Sequence, residues 1–390
     1  MDVRAILIVG GAPDSNGGPE SFAGMPLALL DVLGASVVER TATRLAGYGV
    51  EEISVIAAHH LDASSESMKT LAPRGANVRW ISGAEDIWRA SENQFSEYAQ
   101  AGAELVVAIR LGAYAELNFD DLLQFHLDQK ARVTSAQDAQ GQFGAFVISA
   151  SRRNDAAYLF RHGLTECRAE CAYYDFSGHV NRLRTARDLH RLAQDALFRR
   201  IELAPAGREL RPGVWVGEGA RIERGTRILA PAFIGSRARV RAAAVITRGS
   251  VLEHHAEVDC GSVIEASALL PFSYVGAGLD VCHSLVGFRR IAQLQHNLEV
   301  EIADPKLLGQ VSTSASRRLL GKLAGSVKLP FRVSPKGLAP SSSSKPEAEG
   351  IPVSAQGNVA RAGEKIPAAL EVDPAISELQ SEFSPTCKTT

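Results

Sequence analysis

Cysteine is scarce in this chain of 390 residues, with five at Cys167, Cys171, Cys260, Cys282 and Cys387. So few, so irregularly spaced, exclude a disulfide framework. Cys167 and Cys171 lack the second pair, or the histidine partners, that a zinc site needs. Reduced structural thiols are the expectation. Excess charge is lacking as well: 42 Lys and Arg stand against 44 Asp and Glu, for a net charge of −2. That balance excludes a general nucleic-acid binder. Long apolar runs are missing too. The N-terminal run Ala5-Ile6-Leu7-Ile8-Val9 enters Gly10-Gly11 directly, too short for a signal peptide, and no other segment reaches membrane-spanning length. The expected location is the cytoplasm.

What the chain does have is a period of six. Val216, Ile222, Ile228, Ile234, Val240, Ile246, Leu252, Val258 and Ile264 follow one another without a break in step. Four places after each stands a small residue: Ala220, Thr226, Ala232, Ala238, Ala244, Ser250, Ala256, Ser262 and Ala268. A helix repeats near 3.6 and a half-buried strand at 2, so a period of six predicts the hexapeptide form of parallel β-helix. Each hexad makes one side of a triangular coil, its aliphatic residue inward and its small residue at the corner. The step is expected to slip by one residue after Leu270, on the way to Val275, with Val281 resuming it. The end coils of such a stack have unpaired edges, so flanking segments or a second copy of the chain must cap them.

Upstream, Ala5-Ile6-Leu7-Ile8-Val9 reads as a buried parallel strand that Gly10-Gly11 ends, a transition that brings backbone amides close to a ligand phosphate. A loop over 12–24, a helix carrying Val37, Val38, Leu45 and Ala46, and a strand Ile53-Ser54-Val55-Ile56 follow. Strands at 78–81 and 105–109 and helices at 87–98 and 119–129 repeat that order. The pattern predicts a doubly wound α/β domain of about 200 residues.

Together these features resemble the sugar-1-phosphate nucleotidyltransferases, the GDP-mannose pyrophosphorylase group in particular. The likeness spans about 4–288 and rests on Ile6-Leu7-Ile8-Val9-Gly10-Gly11, Met25-Pro26-Leu27, Val37-Val38-Glu39-Arg40 and the β-helix that follows. Leu122-Leu123-Gln124-Phe125-His126 and Thr185-Ala186-Arg187-Asp188-Leu189 sit where that family has a characteristic helix and a late Thr-Pro-x-Asp-Tyr segment. The resemblance implies a Rossmann-like nucleotidyltransferase domain over 1–205 and a left-handed β-helix over 210–288. It also implies a reaction in which a sugar phosphate attacks the α-phosphorus of an NTP and pyrophosphate leaves. The ligand it implies is a nucleotide or NDP-sugar, with Gly10 and Gly11 in the phosphate loop.

That chemistry needs a loop Arg, a nearby Lys and two Asp residues holding Mg²⁺. Here 9–33 contains no Arg or Lys, and Met25 stands where the Lys belongs. Gly112 and Arg182 align with the two magnesium ligands. The Leu-Gly-Thr-x-Gly segment that lines the base has no equivalent near 82–88, and 133–146 is short for the Glu-Lys-Pro sugar contact. A cation at 182 repels the metal it should bind, so Mg²⁺ is expected only if transferase activity survives, and no other cofactor is expected.

Three functions stay open: a catalytically degenerate subunit that regulates or scaffolds sugar-nucleotide and polysaccharide metabolism, an active nucleotidyltransferase making an NDP-sugar such as GDP-mannose, and a hexapeptide-repeat acyltransferase. The last draws on His254 and His255, which follow Leu252 on the outward part of a hexad and suit a general base; the plainer expectation there is two solvated histidines. Residues 289–332 form an extension whose 317–332 stretch carries five basic and no acidic side chains, suited to an anionic membrane surface, a protein partner or simply a capping helix. Over 333–390, prolines, Ser341-Ser342-Ser343-Ser344 and a single aromatic, Phe383, predict a disordered tail. Homo- or hetero-oligomerisation is expected through the β-helix.

Overall fold

Seven strands form the first sheet of this structure, a computed structural model that describes residues 1–10, 21–57, 76–82, 86–150, 160, 171–296 and 298–311. They are β1 (Val3–Val9), β2 (Glu52–Ala57), β3 (Asn77–Ser82), β4 (Leu105–Arg110), β5 (Val133–Asp138), β6 (Gly141–Ser149) and β7 (Cys171–Asp175), in the order β7-β5-β6-β4-β1-β2-β3. β3, β2, β1 and β4 run parallel, a Rossmann-like core. Alternation along β1 explains its position: Ala5, Leu7 and Val9 face one core, Ile6 and Ile8 the other, and all five are fully buried. Helix α1 (Val37–Gly47), α3 (Phe119–Asp128) and α4 (Ala186–Leu197) cover the first face, and α2 (Ile87–Gln100) covers the second. Capping boxes start α1 (Ser36 with Glu39) and α4 (Thr185 with Asp188), satisfying amides that have no partner inside the helix.

The sheet is mixed, which the doubly wound reading did not foresee. A two-residue turn at 139–140 reverses the chain after β5, so β6 returns antiparallel to both β5 and β4. Gly141 takes φ +104 there, where a side chain is strained. The stretch expected to be merely short is therefore a hairpin.

The hexads form three sheets of stacked parallel strands, compatible with a β-helix. Ile234 pairs with Leu252, Val240 with Val258 and Ile246 with Ile264, each with its equivalent one coil later. These inward residues are fully buried, as are the corner residues Ala238, Ala244, Ser250, Ala256 and Ser262. Each buried aliphatic contributes about 1.5–3 kcal/mol by leaving water. At the corners the hydroxyls of Ser250 and Ser262 donate to the carbonyls of Ile264 and Gly276, so polar groups in the wall are satisfied. The slip lies earlier than expected. Leu252 pairs with Leu269 and Val258 with Val275, so the missing residue falls between Ile264 and Leu269, and Leu269 rather than Leu270 points inward. Leu270 packs instead against the α/β core.

The chain caps the first of its three sides at both ends and the second at one. Arg208–Arg211 pairs antiparallel with Val214–Val216 at one end. At the other, Arg290–Gln293 and Leu298–Glu301 extend the same sheet, and Leu308–Gln310 pairs with Ser273–Val275. Residues 289–311, unplaced by sequence, are these caps. Among the described residues the third sheet ends uncovered at Arg227–Ile228 and Asp280–Cys282, and the second begins uncovered at Arg221–Ile222.

The first side of the stack also carries the joint to the α/β layer. Outward Phe233, Val251, Ala268 and Leu285 share one buried cluster with Leu33, Leu189 and Leu192. In the hairpin Asp31–Val32 with Ala35–Ser36, the turn at Leu33 and Gly34 presses on the stack, and a Cβ on Gly34 would stand 2.7 Å from Ala206 Cβ. Arg40 ties this hairpin down through the carbonyls of Val32, Leu33 and Ala204.

Cysteine chemistry departs from expectation. Cys171 is disulfide-bonded; it begins the edge strand β7, half-exposed rather than sealed in a core. Cys260 and Cys282 are free but exposed, so they are not core thiols. No helix among the described residues is long and apolar enough to cross a membrane. Gly11, Asp14, Cys167, Cys387, the basic 317–332 segment and the 333–390 tail lie outside the described residues.

Candidate functional site

The site that the resemblance points to lies at the C-terminal ends of β1 and β4, where ligands sit in open α/β sheets. β1 ends at Val9, and Gly10 turns the chain at φ +85. Met25 lies in a two-residue strand paired with Ser21–Phe22 and packs half-buried on the core, a hydrophobic contact in place of a charged one. Beyond β4, Ala113–Ala115 pairs antiparallel with Val180–Arg182, and Arg182 stands opposite Ala113. Leu183 N–H donates to Gly112 O at 3.0 Å. Gly112 and Arg182, far apart in sequence, are thus neighbours in space.

Arg182 is fully engaged there. Its guanidinium donates to both carboxylate oxygens of Asp138 at 2.7 and 2.8 Å, to Gln140 Oε1 at 3.0 Å and to the carbonyl of Gly141 at 2.9 Å. Arg182 holds the Asp138 carboxyl below its ordinary range, with the Gln140 amide helping and burial opposing. This fork closes the β5–β6 turn. It also spends the nearby carboxylate on a cation. Mg²⁺ does not fit the residues described here: Gly112 has no donor side chain, and Arg182 brings a positive charge that takes up Asp138. Among the described residues no three His, Cys, Asp or Glu side chains converge as a metal-ligand group.

His254 and His255 lie in the joint and are half-buried, not solvated on an outer turn. His254 Nε2 stands 3.2 Å from Asp31 Oδ2, and its Nδ1 stands 3.0 Å from His255 Nδ1. His255 stacks on Phe272 with ring centroids 4.7 Å apart. Burial lowers the His254 pKa, but the Asp31 bond and the charges of Asp31, Glu253 and Glu39 outweigh it, and the net shift is upward. His255 falls to about 4, through burial first, then the charge of His254 and of Arg237 and Arg239. Only one proton fits between the facing Nδ1 atoms. When His254 is charged it donates to His255, whose Nε2 then carries a hydrogen and is no base. Only neutral His254 leaves His255 Nε2 a free lone pair.

Next to them, Glu253 is 1% exposed and accepts from Leu33 N–H at 2.6 Å and Gly34 N–H at 2.8 Å. Burial and the nearby Asp31 push its carboxyl up, against the pull of the two amides. Asp31, Glu253 and Asp138 were not singled out by sequence reasoning. A signal existed for Glu253: the place after the inward residue on this side reads Gly217, Gly235, Glu253, Leu270 and Gly287, a lone carboxylate in a column of apolar or absent side chains.

His126 was quoted only as part of the resemblance. It is a satisfied core histidine, bonded to Thr134 Oγ1 at 2.8 Å and Ser149 Oγ at 2.9 Å, and burial lowers it to about 4.

No protein-family model and no curated protein matches this chain. Among solved structures, HddC from Yersinia pseudotuberculosis aligns at 14% identity and a TM-score of 0.38, over 50% of this chain and 99% of that one. A likeness at that score carries no argument about activity.

Proposed function

We propose that this protein is a sugar-nucleotidyltransferase-like subunit, with a left-handed β-helix, that has lost magnesium-dependent nucleotidyl transfer and works by assembly or by sensing a nucleotide or NDP-sugar. The observation that carries the reading is the Arg182 fork on Asp138 beside Gly112, at the end of the parallel strands. A site that must hold a divalent cation and compensate a leaving pyrophosphate needs carboxylates there; an arginine already paired with the local carboxylate supplies neither ligand nor spare charge. The setting that fits is sugar-nucleotide supply for polysaccharide synthesis. The uncovered edges of the third sheet at Arg227–Ile228 and Asp280–Cys282 are the surfaces on which a second copy or a related subunit would pair. Native mass spectrometry with and without GDP-mannose tests this reading. An oligomer or a bound ligand is expected; a strict monomer that binds no nucleotide and no NDP-sugar rejects it.

The Asp31–His254–His255 chain favours one second reading, acyl transfer with His255 as general base. A carboxylate that orients a histidine is a recurring catalytic device. The raised His254 works against it near neutral pH, since charged His254 removes the base at His255. Thiol release from acetyl-CoA that requires an amine or hydroxyl acceptor, such as an amino sugar, to take the acetyl group and that is lost in His255→Ala would establish it; no release with any such acceptor removes it.

A further inference from the structure

The third side of the stack is built from Arg227–Ile228, Val245–Ile246, Val263–Glu265 and Asp280–Cys282, paired in register one coil after another. The residue just before each inward aliphatic points outward, and down this side those residues read Arg227, Val245, Val263 and Asp280. No outward residue of this side belongs to a buried cluster of the described residues. The other two sides differ. On the first, the equivalent column is apolar and docks on the α/β layer; on the second it is Arg221, Arg239, Glu257 and Tyr274, which is polar. Only the third sets two apolar residues between opposite charges.

Those charges are unspent. Arg227 and Asp280 are exposed, and among the described residues neither side chain has a hydrogen-bond or ion-pair partner. Three strand spacings separate them, about 14 Å, which is too far for them to pair within one chain. A second copy turned over by a two-fold axis that runs along the strands, midway between Val245 and Val263, presents the same column in reverse order. Arg227 then faces the partner's Asp280, and Val245 faces the partner's Val263. Each contact occurs twice, as an isologous interface requires. Stacks laid side by side in the same direction would instead set Arg227 on Arg227 and Asp280 on Asp280, and like charges oppose that arrangement.

We infer that two copies of this chain form a two-fold dimer through the third side of the stack, the stacks antiparallel, with Val245 and Val263 at the centre and an Arg227–Asp280 pair at each end. A valine on a solvated strand is unexceptional by itself. Opposite charges at equal distances from the centre are what make this face complementary to itself. The same axis brings Leu229, 53% exposed, opposite the partner's Cys282, also exposed, and adds apolar area at the rim. Four short strands make a face below the standard interface size, so the expected dissociation constant is micromolar. The inference rests on the assembly half of the reading above and names the face of the third sheet, where that reading named its edges.

Sedimentation velocity of the full chain across the micromolar range tests it. The parent should pass from monomer to dimer. Arg227→Asp and Asp280→Arg each turn both ion pairs of the dimer into like-charge contacts, so each variant alone should associate at least about tenfold more weakly. Mixed in equal amounts, the two variants should recover the dimer, because both end contacts are then opposite in charge again. A residue that only holds the fold together cannot give that recovery, and the exposure of both positions lets the variants fold as the parent does. A monomer at every concentration overturns the inference and leaves ligand sensing open. An oligomer indifferent to either reversal, or single variants that stay apart when mixed, overturns this face and returns assembly to the edges.

Discussion

Replacing Glu253 by alanine should loosen the joint between the α/β layer and the stack, and its cost follows from two bonds. The carboxylate receives Leu33 N–H at 2.6 Å and Gly34 N–H at 2.8 Å in a place that is 1% exposed. Truncation leaves one buried donor and one partly buried donor without partners, at about 1–3 kcal/mol each. Removing a buried, partly compensated charge offsets part of this, which favours the lower half of the resulting range of about 2–6 kcal/mol. At about 2 °C per kcal/mol for a unit of this size, the melting midpoint should fall by roughly 4–8 °C. Glu253→Gln keeps one acceptor and turns an amide NH₂ toward the other donor, so it should lie between parent and alanine. The matched control is Glu265→Ala. Glu265 holds the same place in its hexad, one after inward Ile264, but on a side that faces solvent, and it is exposed; its loss should cost less than about 0.5 kcal/mol. Thermal unfolding of the three variants, followed by circular dichroism, decides the matter. Equal midpoints for Glu253→Ala and Glu265→Ala would refute the reasoning, because the buried carboxylate would then do no more than the exposed one.

Ile246→Asp should unfold the stack, since a fully buried side chain becomes a carboxylate costing several kcal/mol or held protonated, while Arg248→Asp, two places on and exposed, should be tolerated; equal loss of cooperative unfolding in both would mean the register is wrong. Stability should rise with pH between about 4 and 6.5, because His126, His190 and His255 are each lowered to about 4 by burial and the unfolded chain binds protons that the folded chain refuses. Glu39, raised to about 7 by burial, then Asp31, acts in the opposite sense: its contribution is complete below the unfolded value of 4.5 and is lost as pH rises through about 7. Glu253, also raised, adds to that loss. The midpoint at mildly alkaline pH should therefore lie below that at pH 6.5, and a midpoint still climbing there contradicts these assignments. Deleting the chain after Arg332 should leave the oligomeric state unchanged by light scattering, since the claim is assembly through the stack; dissociation would assign assembly to the tail.

The parallel core strands and the hexad stack were legible because both are local patterns. A continuous aliphatic run such as Ala5-Ile6-Leu7-Ile8-Val9 has one stable use, between two helical layers, and a six-residue step leaves a single inward position per side. The hairpin of β5 and β6 was missed because its turn, Asp138-Ala139-Gln140-Gly141, looks like any polar loop until Arg182 closes it from 44 residues away. The slip was misplaced by one because Leu269 and Leu270 are equally apolar; one fills the coil and the other the joint. A signal for the joint was present: Trp215, Phe233, Val251, Ala268 and Leu285 each stand beside an inward residue, while the corresponding places on the second side are Arg221, Arg239, Glu257 and Tyr274. An outward column that stays apolar must dock on something. The Asp31–His254 contact spans 223 residues and had no local trace, so His254 read as a solvated residue.

Loss of nucleotidyl transfer is the central claim, and pyrophosphate release measures it most directly. The purified chain, given each NTP with a panel of sugar 1-phosphates in Mg²⁺, should release none, because Gly112 and the Arg182–Asp138 fork leave the metal without ligands. Magnesium-dependent release that disappears in Asp14→Asn or Asp120→Asn would contradict the account, since another carboxylate would then have taken over the metal.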